Sequence, residues 1–153
     1  MQSVGIPKQI KHIVVGTDFS ETAERAVDAA VNLAAQVGAV VSLVHAYELP
    51  MYSFPDGVVV STPDAANRIT TDALARLEKA VEQRKDSGIS IKSVLRMGAP
   101  WDELNGFAEE ENADVIVVGT HGRRGFSRVM LGSAAERLVR TAVRPLLVIR
   151  GDG

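Results

Sequence analysis

A chain of 153 residues has the length of one domain, expected here over residues 1–153, and folding removes about 70% of its unfolded surface from water, enough for a single core. Its 46% hydrophobic and 24% charged residues exclude a disordered or fibrous chain, and a net charge of -2 gives no overall basic field for a nucleic-acid backbone, so nucleic-acid partners are not expected. The lack of cysteine excludes disulfides and thiolate chemistry; the short apolar run Ile13–Val15 before Asp18 is too brief for a signal peptide or a membrane span, and the expected location is the cytoplasm.

KHIVVGTD reads as a buried strand, a β-branched apolar run that ends in polar residues. Ser20 is positioned to cap the helix that follows: Glu21 and Glu24 suit its positive end, Val27, Ala30, Val31 and Ala34 recur at helical spacing, and Gly38 closes it. AVVSLVHAY, residues 39–47, is a second buried strand. ELPMYSFPDGVVVSTP has three prolines and no steady period, and reads as a long excursion over one end of the sheet, a candidate lid. Thr62 and Pro63 open a second helix whose stripe is Ile69, Ala73, Leu77, Ala80 and Val81, with Gly88 at its end. IKSVLR is a third strand, and Pro100 starts a short third helix with Asp102 and Glu103 in its first turn and Trp101 as an anchor. ADVIVVG, a continuous apolar run, needs apolar neighbours on both faces. A fourth helix from Ser133 and a last strand, RPLLVIR, complete a three-layer α/β domain with a parallel sheet.

Between the fourth strand and the fourth helix lies GTHGRRGFSRVMLGSAAERL, with glycines at 119, 122, 125 and 132 and arginines at 123, 124 and 128. It is not a Walker A loop, since the chain has no Gly-Lys pair, and its glycine spacing and position do not fit a dinucleotide fingerprint. What remains is a strand, a glycine-rich loop and a helix N-terminus, where free amides and the helix dipole attract phosphate and the arginines add positive charge. The same residues also read as a plain turn before a capped helix, with Ser133 as N-cap and Glu136 reaching back. His121 lacks a nucleophile partner and His45 reads as a satisfied rim or core histidine, so no catalytic residue and no metal-ligating set is assigned.

Gly119-x-x-Gly122, nine residues, then Gly132-Ser133 resembles the nucleotide-binding signature of the ATP-binding branch of the universal stress protein family, and matches it at every fixed position. TDFS at 17–20, VHAY at 44–47 and RPLLVIR resemble the family's first, second and closing strand motifs, so the resemblance spans about Lys8 to Arg150. It implies a five-stranded parallel sheet in the order 3-2-1-4-5, Rossmann-like, with the ends of strands one and four adjacent at the point where ligands bind in open α/β sheets. It further implies that Asp18 holds ribose hydroxyls or helps organise a metal, that Gly16 and Thr17 line the base and that the backbone of Ala46 meets adenine. Gly119 and Gly122 would pass close to ribose and phosphates, and Gly132, Ser133 and Ala134 would offer amides and a hydroxyl to the phosphate chain. A phosphate role for Arg123 and Arg124 rests on their charge alone. Asp18 also reads as a cap for the following helix.

Three functions follow from these readings. The first is an ATP-binding regulatory module, with or without Mg2+, acting as a homodimer through the C-terminal strand Pro145 to Arg150. The second is a slow ATPase or phosphate-transfer enzyme using the same crevice. The third is a dimeric interaction protein without nucleotide, in which an exposed apolar edge strand pairs two copies.

Overall fold

The computed structural model describes residues 5–120 and 132–151. Five parallel strands form one sheet in the order β5-β2-β1-β6-β7, where β1 is His12–Gly16, β2 Val40–Tyr47, β5 Ile91–Met97, β6 Val115–Gly119 and β7 Leu146–Ile149. Counting only these strands, the order is 3-2-1-4-5, as the resemblance implies. β1 pairs with β2 on one side and β6 on the other, and the winding reverses between β1 and β6. β7 and β5 are the two edges.

Alternate residues of each central strand feed two cores. Ile13 and Val15, Val41 and Leu43, and Val115 and Val117 pack with α1 (Glu21–Val37) and with Leu77 and Ala80 of α2 (Pro63–Glu82). Val14, Val44, Ile116 and Val118 point the other way, onto α3 (Pro100–Glu110) and α4 (Ser133–Thr141) through Leu104, Phe107, Ala108, Ala135 and Leu138. Both faces are covered, which is why the central strands read as unbroken apolar runs rather than alternating ones. Each fully buried Val or Leu contributes about 1.5–3 kcal/mol relative to exposure.

The helix signals are realised locally. Ser20 caps α1 by accepting from Ala23 N (3.2 Å), and Gly38 ends it in a left-handed conformation. Thr62 caps α2, with Pro63 in its first turn. α2 stops at Glu82, and Gly88 instead closes a short 3-10 turn, Lys85–Ser87, so the expectation that Gly88 ends the helix is corrected. Arg84, just past α2, donates to Glu24 Oε2 (2.7 Å) and Asp28 Oδ1 (2.9 Å) and so ties α2 to α1. Burial opposes the Arg84 charge, yet its bonds to Glu24 and Asp28 hold its pKa above the ordinary value.

Trp101 is partly buried against the α3/α4 core, with the Arg137 guanidinium 5.0 Å from its ring centroid, as an anchor of α3 should be. The excursion after β2 is not irregular: Met51–Phe54 (β3) and Gly57–Val60 (β4) form an antiparallel hairpin in which Phe54 pairs with Gly57 across Pro55 and Asp56. Ser61 Oγ closes its base by donating to Pro50 O (2.8 Å). No helix among the described residues is long and apolar enough to cross a membrane.

Candidate functional site

A crevice with a cavity volume of about 150 Å³ opens where β1 and β6 end side by side. Of the ten residues singled out from sequence, it gathers eight: Gly16, Thr17, Asp18, Ala46, Gly119, Gly132, Ser133 and Ala134. Gly122 and Arg123, together with His121, Arg124 and Arg128, lie outside the described residues.

One wall is the exit of β1. Thr17 N still donates to Val44 O across the sheet (2.9 Å), but the chain then turns sharply. Thr17 Oγ1 accepts from Phe19 N (3.0 Å), and Asp18 Oδ1 accepts from Ser20 N (2.9 Å). Each side chain thus satisfies an amide two residues on, the habit of Thr and Asp in turns. Between them Phe19 adopts φ 64°, a left-handed conformation that costs a non-glycine residue on the order of 1–3 kcal/mol. Its ring packs against His45 at 4.5 Å and lies beneath Arg76 at 5.7 Å.

The opposite wall is the start of α4. Its N-cap is Gly132, so the expected capping box is not formed: Ser133 is the first helical residue, among the described residues no side chain caps the helix, and Glu136 pairs with Arg140 (3.3 Å) instead of reaching back. Gly132 is buried and Ser133 exposed, which leaves the serine hydroxyl and the first-turn amides beside the cavity. Such an uncapped start carries the positive end of the helix dipole.

Gly119 lines the cavity, and packing within the fold gives it a reason of its own to be glycine. A Cβ there would lie 2.7 Å from the Thr22 carbonyl oxygen and 3.0 Å from its carbon, so the collision is with the backbone of α1 and needs no ligand. At Gly16 a Cβ would meet Leu104 Cδ1 at 2.7 Å, from the α3 side.

Sequence reasoning missed Leu104 and Pro100 of α3, Val44, Val118 and Ala135 of the apolar lining, and Thr120. Thr120 is buried and linked to β7 through Thr120 N to Ile149 O (2.9 Å), a polar strand-end residue that could have been noticed beside Gly119. Nothing local in the sequence connects Leu104 to Gly16. Among the described lining residues Asp18 is the sole charged one. An apolar floor, a few polar groups at the rim and a helix start suit a molecule with a flat, mostly apolar body and an anionic tail.

Comparison with known proteins points to one family. Residues 9–150 match the sequence model of the universal stress protein family. Universal stress protein MJ0531 of Methanocaldococcus jannaschii is 32% identical over 142 residues, covering 92% of this chain and 82% of the relative. The solved structure of MJ0577, also from that organism, is similar with a TM-score of 0.76 at 25% identity, over 95% of this chain and 99% of the other. A universal stress protein solved in complex with cAMP is similar with a TM-score of 0.70 at 29% identity, over 95% of this chain and all of the other. One from Archaeoglobus fulgidus in complex with dAMP gives 0.67 at 25% identity, over 91% and 97%.

Proposed function

The chain belongs to the universal stress protein family, and from that premise we propose that the crevice binds an adenine nucleotide, ATP first among them, and that the protein acts by binding rather than by turnover. The observation that carries this reading is the cavity at the reversal point of the sheet, bounded by the β1 exit and the uncapped start of α4. The cAMP and dAMP complexes of the related proteins support the adenine choice.

In this reading Val44, Ala46 and Val118 supply the apolar bed for the base. Asp18, at the lip, accepts from ribose hydroxyls or helps hold Mg2+. The amides of Ser133 and Ala134 and the Ser133 hydroxyl donate to phosphate oxygens, where fixed dipoles act with little reorganisation. Gly122 and Arg123 complete the cradle from outside the described residues. The donor set fits an anion: it adds amides and a hydroxyl, and its lone carboxylate sits on the other wall.

The protein works as a homodimer in the same reading. β7 is a sheet edge, and Leu147 on it and Val139 on α4 are exposed apolar side chains, the kind of surface that a second copy covers. A bound nucleotide then sets the shape or partner choice of the pair in the cytoplasm.

Calorimetric titration of nucleotide-stripped protein with Mg·ATP, with GTP as control, tests the binding. Micromolar affinity for ATP and none for GTP is expected, with the ATP intact after hours of incubation. Absence of heat and of any thermal shift up to millimolar ATP overturns the reading. Sedimentation showing only monomer at micromolar protein removes the dimer.

A further inference from the structure

The β1 exit is braced from the side of the sheet away from the crevice. Side chains alternate along β2: Val44 packs in the α3/α4 core and Ala46 lines the crevice, whereas Leu43 packs in the α1/α2 core. His45 falls on the Leu43 side, half-buried and outside the cavity lining. Its Nδ1 lies 2.7 Å from the carbonyl oxygen of Thr17. A carbonyl only accepts, so Nδ1 carries the proton and the tautomer is fixed. The same imidazole packs on the ring of Phe19 at 4.5 Å with 42° between the planes, and the Arg76 guanidinium of α2 stands 5.7 Å from that ring's centroid.

We propose that His45 is a positioning residue of the nucleotide crevice: through Nδ1–H it fixes the carbonyl of Thr17 and with it the turn that aims Asp18 at the ligand, while its ring packs on Phe19 and contributes to stability. The two contacts grip the turn on either side of Asp18. Asp18 is itself exposed, and its Oδ1 accepts from Ser20 N, a bond that sets one carboxylate oxygen only while residues 17 to 19 keep their shape. A turn that holds a non-glycine residue at φ 64° relaxes when its brace is removed. His45 never touches the cavity, so its effect on the ligand passes through the backbone.

This inference rests on the nucleotide reading, and two substitutions separate the parts. Asn at 45 places an amide nitrogen at the position of Nδ1, keeping a donor for Thr17 O but losing the ring. Phe keeps a ring against Phe19 and loses the donor. Titration with Mg·ATP should show H45N within about threefold of the wild type and H45F weakened about tenfold. Thermal unfolding should rank them the other way, because the ring carries the packing. A merely structural histidine would make affinity follow stability.

If H45F binds ATP like the wild type, or H45N and H45F lose affinity alike, the proposal is overturned. Should the wild type bind no nucleotide, it is the nucleotide reading that fails, and the brace is then judged in the ligand-free protein by 15N–1H spectra. Displacement of the Phe19 and Ser20 amide resonances in H45F, with native positions in H45N, supports it. Unmoved resonances in H45F overturn it.

Discussion

The two walls of the crevice use helix starts in opposite ways. At the β1 exit, Thr17, Asp18 and Ser20 in turn accept from the amides of Phe19, Ser20 and Ala23, so the turn and the first turn of α1 are satisfied by their own side chains. At α4 the cap is Gly132, which has no side chain to give, and among the described residues nothing replaces it. The first wall is held in shape by its own side chains, with Phe19 in a left-handed conformation. At the second, no side chain of the described residues caps the helix. A binding crevice of this kind divides its labour: one wall fixes geometry, the other offers charge.

The largest expected effect comes where the walls touch. Gly119 ends β6, and its missing Cβ faces the Thr22 carbonyl in the first turn of α1. In Gly119→Ala neither backbone can give way without moving a core strand or a capped helix. A loss of about 2–3 kcal/mol is expected, read as a fall in Tm of roughly 5–10 °C. Gly16→Ala should cost less, because its neighbour is the end of the Leu104 side chain. Equal Tm values for Gly119→Ala and the wild type would show that the end of β6 does not press on the first turn of α1.

Next comes the offering wall. Ser133→Asp puts a negative charge in the first turn of α4, where the helix dipole welcomes it by about 0.3–1 kcal/mol. The same charge competes with a phosphate for the same amides, so ATP affinity should fall at least tenfold, about 1.4 kcal/mol, while the protein unfolds no earlier. Calorimetry and thermal unfolding on one sample decide it. Retained affinity would mean that α4 is an ordinary helix start and not a donor set.

On the fixing wall, Ser20→Ala removes the cap of α1 and should cost about 1 kcal/mol in denaturant unfolding. ATP affinity should fall with it, because the capped turn also carries Asp18. A loss of stability without a loss of affinity would show that the turn holds its shape without its helix.

Part of this contrast is legible in the amino-acid sequence. β1 and β6 announce themselves as short β-branched runs buried on both faces, and Ser20, Thr62 with Pro63, and Pro100 mark helix starts by local chemistry that needs no tertiary context. The hairpin was missed because MYSFPDGVVV lacks alternation, although Pro-Asp-Gly between apolar runs is itself a turn signal. Ser133 misled for the converse reason: Ser-x-x-Glu fits a capping box, but the chain enters α4 one residue earlier, and a cap is a matter of φ and ψ before it is one of residue type. The role of Gly119 was hidden because its neighbour, Thr22, is ninety-seven residues away in sequence and meets it only once α1 has crossed β6.

The smallest effect concerns α3, which lends Pro100 and Leu104 to the crevice from its first turns and is anchored at its far end. Arg96 on β5 donates to Glu110 Oε2 and Oε1, both at 3.0 Å, and to Glu103 Oε2 at 2.9 Å. Those Arg96 hydrogen bonds hold the Glu110 carboxyl below its ordinary value of 4.5. A carboxylate depressed by folding stabilises the protein above its unfolded pKa, and the contribution drains away as the pH falls through the folded value. Glu110→Gln should therefore lower Tm slightly at pH 7, and the gap to the wild type should close as the pH falls below the ordinary glutamate range. The effect is small because the side chain of Glu110 is 56% exposed and solvent screens the pair. ATP affinity at pH 7 should not change, since the anchor lies at the end of α3 remote from Pro100. A weakened affinity in Glu110→Gln would show that the apolar lining depends on how α3 is tethered, and that a third element, besides the fixing and the offering wall, sets the shape of the crevice.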